Sequence, residues 1–193
     1  MSKLVYLTGK ARSGKDEVAK IWQKYCPSFT RMAFADEIKY LTSDILKVDY
    51  KDLSNPDTKE KYRAFLIYGG QIVRAIDKDY WVKKITSKNQ FKNEDVIITD
   101  VRFLNEIQEL DYRGDYFAKD IISIRIRATD ETRKARGANP EFFDDISETE
   151  LDFLKDSDFN YTIVNDTSLL GLEQRIIEIL CKEKLFGTKV YGT

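Results

Sequence analysis

Residues 4–7, Leu-Val-Tyr-Leu, form an unbroken apolar run of strand length that ends at Gly9. After Lys15 the apolar positions change period. Val18, Ile21, Trp22 and Tyr25 share one helical face until Pro27 stops the pattern. Residues 29–35 predict a second strand, and Asp36 can cap a helix whose apolar face is Ile38, Leu41 and Ile45. The stretch KVDYKDLSNPD reads as a loop. A helical region follows through Tyr62, Phe65 and Leu66 and resumes at Ile72, Val73 and Ile76. The Gly69-Gly70 pair between them is expected to break or kink it.

Residues 96–99 predict a third strand, ending at Asp100. Leu104, Ile107 and Leu110 then give a helix that stops near Gly114. Residues 121–126 and 161–164 complete five strands, and 169–185 predict a closing helix. Between the last two strands, residues 129–155 are polar and charged, with short helical pieces. Strands that alternate with helices argue for a parallel sheet with helices on both faces. There is no repeat, low-complexity tract or dividing linker, so the 193 residues predict one α/β domain with a small excursion.

Hydrophobic residues are 42% of the chain, enough for a core, and the 34% that are charged balance to a net of −1. That balance, without a basic stripe, argues against a nucleic-acid or membrane-surface partner. The apolar run at the N-terminus is too short for a signal peptide or a spanning helix, which predicts a cytosolic protein. Cys26 and Cys181 make neither a C-x-x-C motif nor a disulfide framework. The chain has no histidine, which excludes Ser-His and Cys-His nucleophile pairs and histidine-based zinc sites. Chemistry is left to carboxylates, Lys, Arg, backbone amides and metals held by oxygen.

The loop between the first strand and its helix reads GKARSGKD. Gly9, Gly14 and Lys15 match the phosphate-loop pattern G-x-x-x-x-G-K-[ST], in the strand-to-helix context that the pattern requires. Glycines let backbone N–H groups converge on a polyphosphate, the helix N-terminus adds partial positive charge, and Lys15 can reach the β and γ phosphates. Ser or Thr is replaced by Asp16. A carboxylate also suits magnesium, directly or through water, and Lys10 and Arg12 can offset its charge. The alternative for Lys10 and Arg12 is a solvated loop surface.

GKARSGKD, FADEIK at 34–39, YRAFLIYGGQIVRAIDKDYWV at 62–82 and ITDVRFLNEI at 98–107 together resemble the phage-type deoxynucleoside monophosphate kinases. SETELDF at 147–153 and DFNYTIVND at 158–166 are similar to the same family and to the related animal phosphomevalonate kinases. The resemblance covers nearly the whole chain and makes Asp16 a family feature. Many members have Thr where this chain has Glu17, and some have His where it has Asp145.

The resemblance implies ATP and Mg2+, a deoxynucleoside 5′-monophosphate as acceptor, a host-cell cytoplasm and a homodimer. It implies catalytic Lys15, Arg12, Arg133 and Arg136, the last two on a lid at about 129–150. ATP would be bound by Gly9, Lys10, Ala11, Arg12, Ser13, Gly14, Lys15 and Asp16, with Asn165 and Thr167 after the last strand. The acceptor region would span about 36–90. Its acceptor contacts would be Lys39, Arg63, Gly70, Gln71, Arg74 and Trp81, joined by Asp100, Arg102 and Glu148 from outside that span. Asp16 and Asp100 would serve the metal.

Several of these residues also have a plainer reading. The helix arginines can be solvated salt bridges. Tyr68, Tyr80 and Trp81 can be core rather than base-stacking. Asp100 can orient Arg102, and Glu106 can pair with Arg102. Ser147 to Glu150 can be a capping box. Two rivals stand beside the leading reading. One is a kinase of this fold for another phosphorylated acceptor, such as phosphomevalonate or dephospho-coenzyme A. The other is a nucleotide-binding protein without transfer.

Overall fold

In the computed structural model, residues 2–186 are described, with side chains omitted at 56, 57, 59 and 60. The two ends of the domain expected over 1–193 lie outside them. Five parallel strands form one sheet in the order β2-β3-β1-β4-β5. They are β1 (Lys3–Thr8), β2 (Thr30–Met32), β3 (Val96–Val101), β4 (Asp120–Arg127) and β5 (Tyr161–Val164). β1 lies at the centre. Leu4 pairs with Val96 on one side and Ile121 on the other, and Thr8 pairs with Val101 and Arg125.

Both faces of the sheet are covered, which is why the strands read as continuous apolar runs rather than alternating ones. Val5 and Leu7 point to the face covered by α1 (Lys15–Tyr25) and α10 (Leu169–Lys182), where they meet Val18, Trp22, Leu172 and Ile176. Leu4 and Tyr6 point the other way, into a second core with Phe34, Trp81, Ile85, Phe91 and Leu110. That core lies beneath α2 (Phe34–Leu46), α5 (Tyr80–Thr86), α6 (Asn89–Asn93) and α7 (Leu104–Tyr116).

Five elements differ from the sequence expectation. β2 ends at Met32, because Phe34 already begins α2. Asp36 therefore lies in the first turn of α2, and the amides that begin this helix, those of Phe34 and Ala35, are held by Asp100. The stretch read as a loop contains a helical turn, α3 (Tyr50–Ser54), started by an Asp49 side chain that accepts from the Lys51 N–H. Gly69-Gly70 does not break the chain: α4 runs unbroken over Pro56–Ile76. α7 continues through Gly114 to Tyr116 because Gly114 packs directly under Ile121 and Leu4. The closing helix stops at Lys182, three residues short of its expected end.

Residues 129–155 hold two short α-helices, α8 (Asp130–Ala135) and α9 (Ile146–Thr149), and a 3-10 turn at Pro140–Phe142. Asp145, not Ser147, caps α9, accepting the Ser147 N–H at 2.8 Å. Glu150 instead accepts the Leu104 N–H at 2.9 Å. The expected Ser147–Glu150 capping box is absent, because Asp145 stands two residues earlier and takes the free amide first.

Candidate active site

The site lies at the carboxyl edge of the sheet, where the chain leaves central β1 between β3 and β4, the usual ligand crevice of an open α/β sheet. The loop between β1 and α1 turns through three left-handed positions: Gly9 (φ 140°), Arg12 (φ 60°) and Gly14 (φ 107°). A methyl at Gly9 would stand 2.2 Å from the Ile126 carbonyl oxygen, and one at Gly14 2.2 Å from Asn165 Nδ2. The two glycines are therefore required by close approach as well as by backbone angle. Ser13 Oγ is buried there without a partner, a polar atom turned into the loop.

Lys15 is buried and curls back over the loop, donating to the carbonyls of Gly9 (2.6 Å) and Lys10 (2.8 Å). Burial, with the nearby Arg102 cation, pulls its pKa down to about 7. Glu148, Asp16 and Asp100 oppose that shift. Asp16 is exposed at the start of α1. Its nearest cation is Arg31, at 3.5 Å, and not Lys10, which pairs with Asp152 at 2.8 Å. Arg12 is exposed. Arg31 is the middle residue of β2, and only the tertiary structure brings it to Asp16.

Three groups from three segments converge on the carboxylate of buried Glu148. Oε2 accepts the Ala11 N–H of the loop (2.7 Å) and Nη2 of Arg133 (2.6 Å), and Oε1 accepts from Nη1 of Arg102. Arg133 is itself 1% exposed. It is stacked over the Phe143 ring at 4.1 Å and donates to the Ala11 carbonyl at 2.9 Å. The second lid arginine, Arg136, donates to the Asn165 carbonyl at 2.9 Å. Asn165 in turn donates from Nδ2 to the Ser13 carbonyl at 2.8 Å, tying the loop after β5 to the phosphate loop. Thr167 is exposed beside that loop.

The acceptor side is assembled by α4, α7 and the end of β3. Half-buried Asp100 accepts the Phe34 and Ala35 N–H groups at 2.9 and 2.8 Å, anchoring the N-terminus of α2. Desolvation still raises its pKa. Arg74 lies over the Phe103 ring at 4.1 Å and donates to Glu106 at 2.9 Å, while its Nε is buried and unpartnered. Glu106 does not pair with the Arg102 guanidinium. It accepts the Arg102 and Phe103 N–H groups at 2.9 and 3.2 Å and binds Arg74 instead. Full burial pushes Glu106 up to about 7, against the pull of Arg74.

Trp81 is 2% exposed and donates to the Gly70 carbonyl at 3.2 Å, so it is core and offers no face to a base. Gln71 reaches Asp145 at 3.4 Å, and Arg63 stacks over Phe142 at 4.4 Å, so α4 touches the lid segment twice. Lys39, its side chain 13% exposed, is paired with Asp36 at 3.0 Å. A cleft of about 390 Å³ opens between the loop, Arg102, the end of β4 and the lid residues Ser147, Glu148 and Leu151.

The fold and this loop define a kinase of the P-loop class. Kinases of this fold take ATP with magnesium, and the residues present fit that pair. The loop supplies converging amides, a buried lysine and an unpartnered serine hydroxyl, and Asp16 supplies an exposed carboxylate beside them. Among the described residues there is no cluster of three or more metal-ligating side chains. A phosphate-bound magnesium does not need one.

The chain belongs to the phosphomevalonate kinase family, whose model matches residues 7–115. It is 31% identical over 186 residues to the phosphomevalonate kinase of Drosophila melanogaster, covering 93% of this chain and 95% of that one. The fold is shared with a sugar kinase from Janibacter (TM-score 0.57, 12% identity, 97% and 99% of the two chains). It is also shared with the APS kinase of Mycobacterium tuberculosis bound to AMPPNP and APS (TM-score 0.51, 12% identity, 93% and 97%).

Proposed function

We propose that the protein transfers the γ-phosphoryl group of ATP to a phosphate already present on a small acceptor, giving ADP and a diphosphate. The observation that carries this is the convergence of Arg102, Arg133 and the Ala11 N–H on one carboxylate beside Lys15, with Arg74 on the adjoining helix. An acceptor phosphate oxygen is already ionised and needs no general base. An oxygen–phosphorus bond forms to it as the bond to the ADP oxygen breaks, and the protein's task is to position the two phosphates and spread their charge. Lys15 and the loop amides hold the donor. Arg102 and Arg74 hold the acceptor phosphate. Arg133 and Arg136 close from the lid, and Asp16 and Asp100 serve magnesium, directly or through water.

Phosphomevalonate is the acceptor that the family membership supports. It carries a carboxylate as well as a phosphate, and Arg63 and Lys39 are cations on the acceptor side suited to its second charge. A deoxynucleoside 5′-monophosphate is the second reading. Tyr68 supports it: it is 63% exposed on the helix that carries Arg63 and Arg74, and offers a ring face to a base. The same helix presents an apolar stripe to solvent, which supports a homodimer.

ADP release would be followed with phosphomevalonate, dephospho-coenzyme A and the four deoxynucleoside monophosphates, on the wild type and on Lys15→Ala. Turnover with one acceptor and its loss in the variant supports the reading and identifies the acceptor. ATP binding without turnover on any of them overturns it.

A further inference from the structure

Glu148 makes the contacts that a phosphoryl group would make. Its carboxylate takes a loop amide, a lid arginine and an arginine from the end of β3, so that three donors of the site are satisfied by one internal anion. Two guanidinium groups and a lysine ammonium this close repel one another unless an anion stands among them. The influence of Arg102 on the Lys15 pKa, opposed by Glu148, reports that geometry.

The support beneath Glu148 is slight. It rides on α9, a single helical turn of four residues held by the Asp145 cap, and the apolar side chain of that turn, Ile146, is 52% exposed. Little apolar burial anchors the turn, so moving it breaks the contacts of Glu148 together with a few polar ties: Glu150 to the Leu104 N–H, Arg102 to the Ser147 carbonyl and Gln71 to Asp145. A phosphate bearing two or more negative charges can replace those contacts and more.

We propose that Glu148 is an internal phosphate surrogate that holds Arg102, Arg133 and the Ala11 amide in place in the empty enzyme and is displaced by the phosphoryl groups of the bound substrates. Glu148 thereby sets specificity for transfer over hydrolysis. Until both phosphates are present to displace it fully, it occupies part of the transfer site and keeps the lid arginine from completing the charge cage around ATP. This rests on ATP binding at the loop.

The test titrates wild type, Glu148→Gln and Glu148→Ala with pyrophosphate and with ATP by calorimetry, without acceptor, and measures acceptor-free ATP hydrolysis on the same samples. Removing an occupant of the site raises apparent affinity by the factor with which it competed. Both variants are therefore expected to bind pyrophosphate about fivefold or more tightly and to hydrolyse ATP faster than wild type. Equal or weaker binding in folded variants overturns the proposal, because it makes Glu148 a static brace for the two arginines. If the variants unfold, hydrogen exchange of the wild-type peptide 143–152 decides. Faster exchange with pyrophosphate bound supports displacement; unchanged or slower exchange overturns it. A wild type that binds neither ATP nor pyrophosphate removes the donor reading itself, and the surrogate with it.

Discussion

The titration of Lys15 ties two measurable pH dependences to one side chain. Its folded pKa is about 7, below the ordinary lysine value, so between about 7 and 10.5 the folded chain holds fewer protons than the unfolded chain. The contribution of Lys15 to stability therefore rises with pH across that window. Binding runs the other way. A polyphosphate needs the ammonium form, so above pH 7 the enzyme must take up a proton to bind. ATP affinity should fall between pH 7 and 9, and calorimetry in buffers of different ionisation enthalpy should show that proton uptake. A pH-independent affinity would mean that Lys15 stays charged in the empty site. Lys15→Ala should cut turnover by roughly 10² or more, the scale of removing one preorganised charge from a transition state, while leaving the fold intact.

Glu106 is the other residue whose role is set by its neighbours. It accepts from the Arg102 and Phe103 amides and from Nη2 of Arg74 at once, at 2% exposure. Glu106→Ala leaves buried donors without an acceptor, and should cost about 3 kcal/mol of stability, the lower end of the range for breaking a buried pair. It should also raise the acceptor KM more than the ATP KM. Thermal unfolding and steady-state kinetics on both substrates check the two parts separately.

At the scale of elements, α4 shows why paired glycines do not always stop a helix. A methyl at Gly69 would meet only the Phe65 ring, at 3.8 Å. One at Gly70 would press on Ile38 at 3.1 Å and on Arg74 at 3.4 Å. The second glycine buys close packing of α4 on α2, and the first has no such duty. Gly69→Ala should therefore stabilise the protein by up to about 1 kcal/mol, the helix-interior cost of glycine, with kinetics unchanged. Gly70→Ala should displace Arg74 and raise the acceptor KM several-fold. Melting temperatures and acceptor titrations of the two variants, compared side by side, test this. Equal behaviour would count against it.

At the scale of the molecule, Phe65, Tyr68, Ile72 and Ile76 recur every three or four residues along α4 and face solvent, Ile76 at 85%. α2 packs against α4 and adds exposed Leu41 and Ile45. These six side chains supply a sizeable share of the roughly 800 Å² that each partner contributes to a standard interface. Sedimentation should find a wild-type dimer and a folded monomer for the double variant Ile72→Glu, Ile76→Glu. A wild-type monomer at micromolar concentration would remove the dimer.

Among the described residues, no helix is long and apolar enough to cross a membrane. The five strands, their parallel arrangement and the phosphate loop were legible in the sequence because each rests on local signals. Those signals are an apolar run, a change of period, and glycines at fixed spacing before a lysine. Where local signals competed, the prediction failed. Asp36 resembles a helix cap, but the helix starts earlier, at Phe34, where Asp100, distant in sequence, holds the first amides. Ser147 and Glu150 resemble a capping box, but Asp145 takes the amide. Gly69-Gly70 resembles a break until Ile38 is placed beside Gly70. The sequence by itself determined the class of fold and the place where phosphate chemistry would sit. Tertiary structure alone decided which charges meet: Glu148 with Arg102 and Arg133, Glu106 with Arg74, and Arg31 beside Asp16. The reason is physical. A buried charge is held by whichever opposite charge the packing brings within hydrogen-bonding reach, and several of those partners lie too far along the chain for any periodicity to join them.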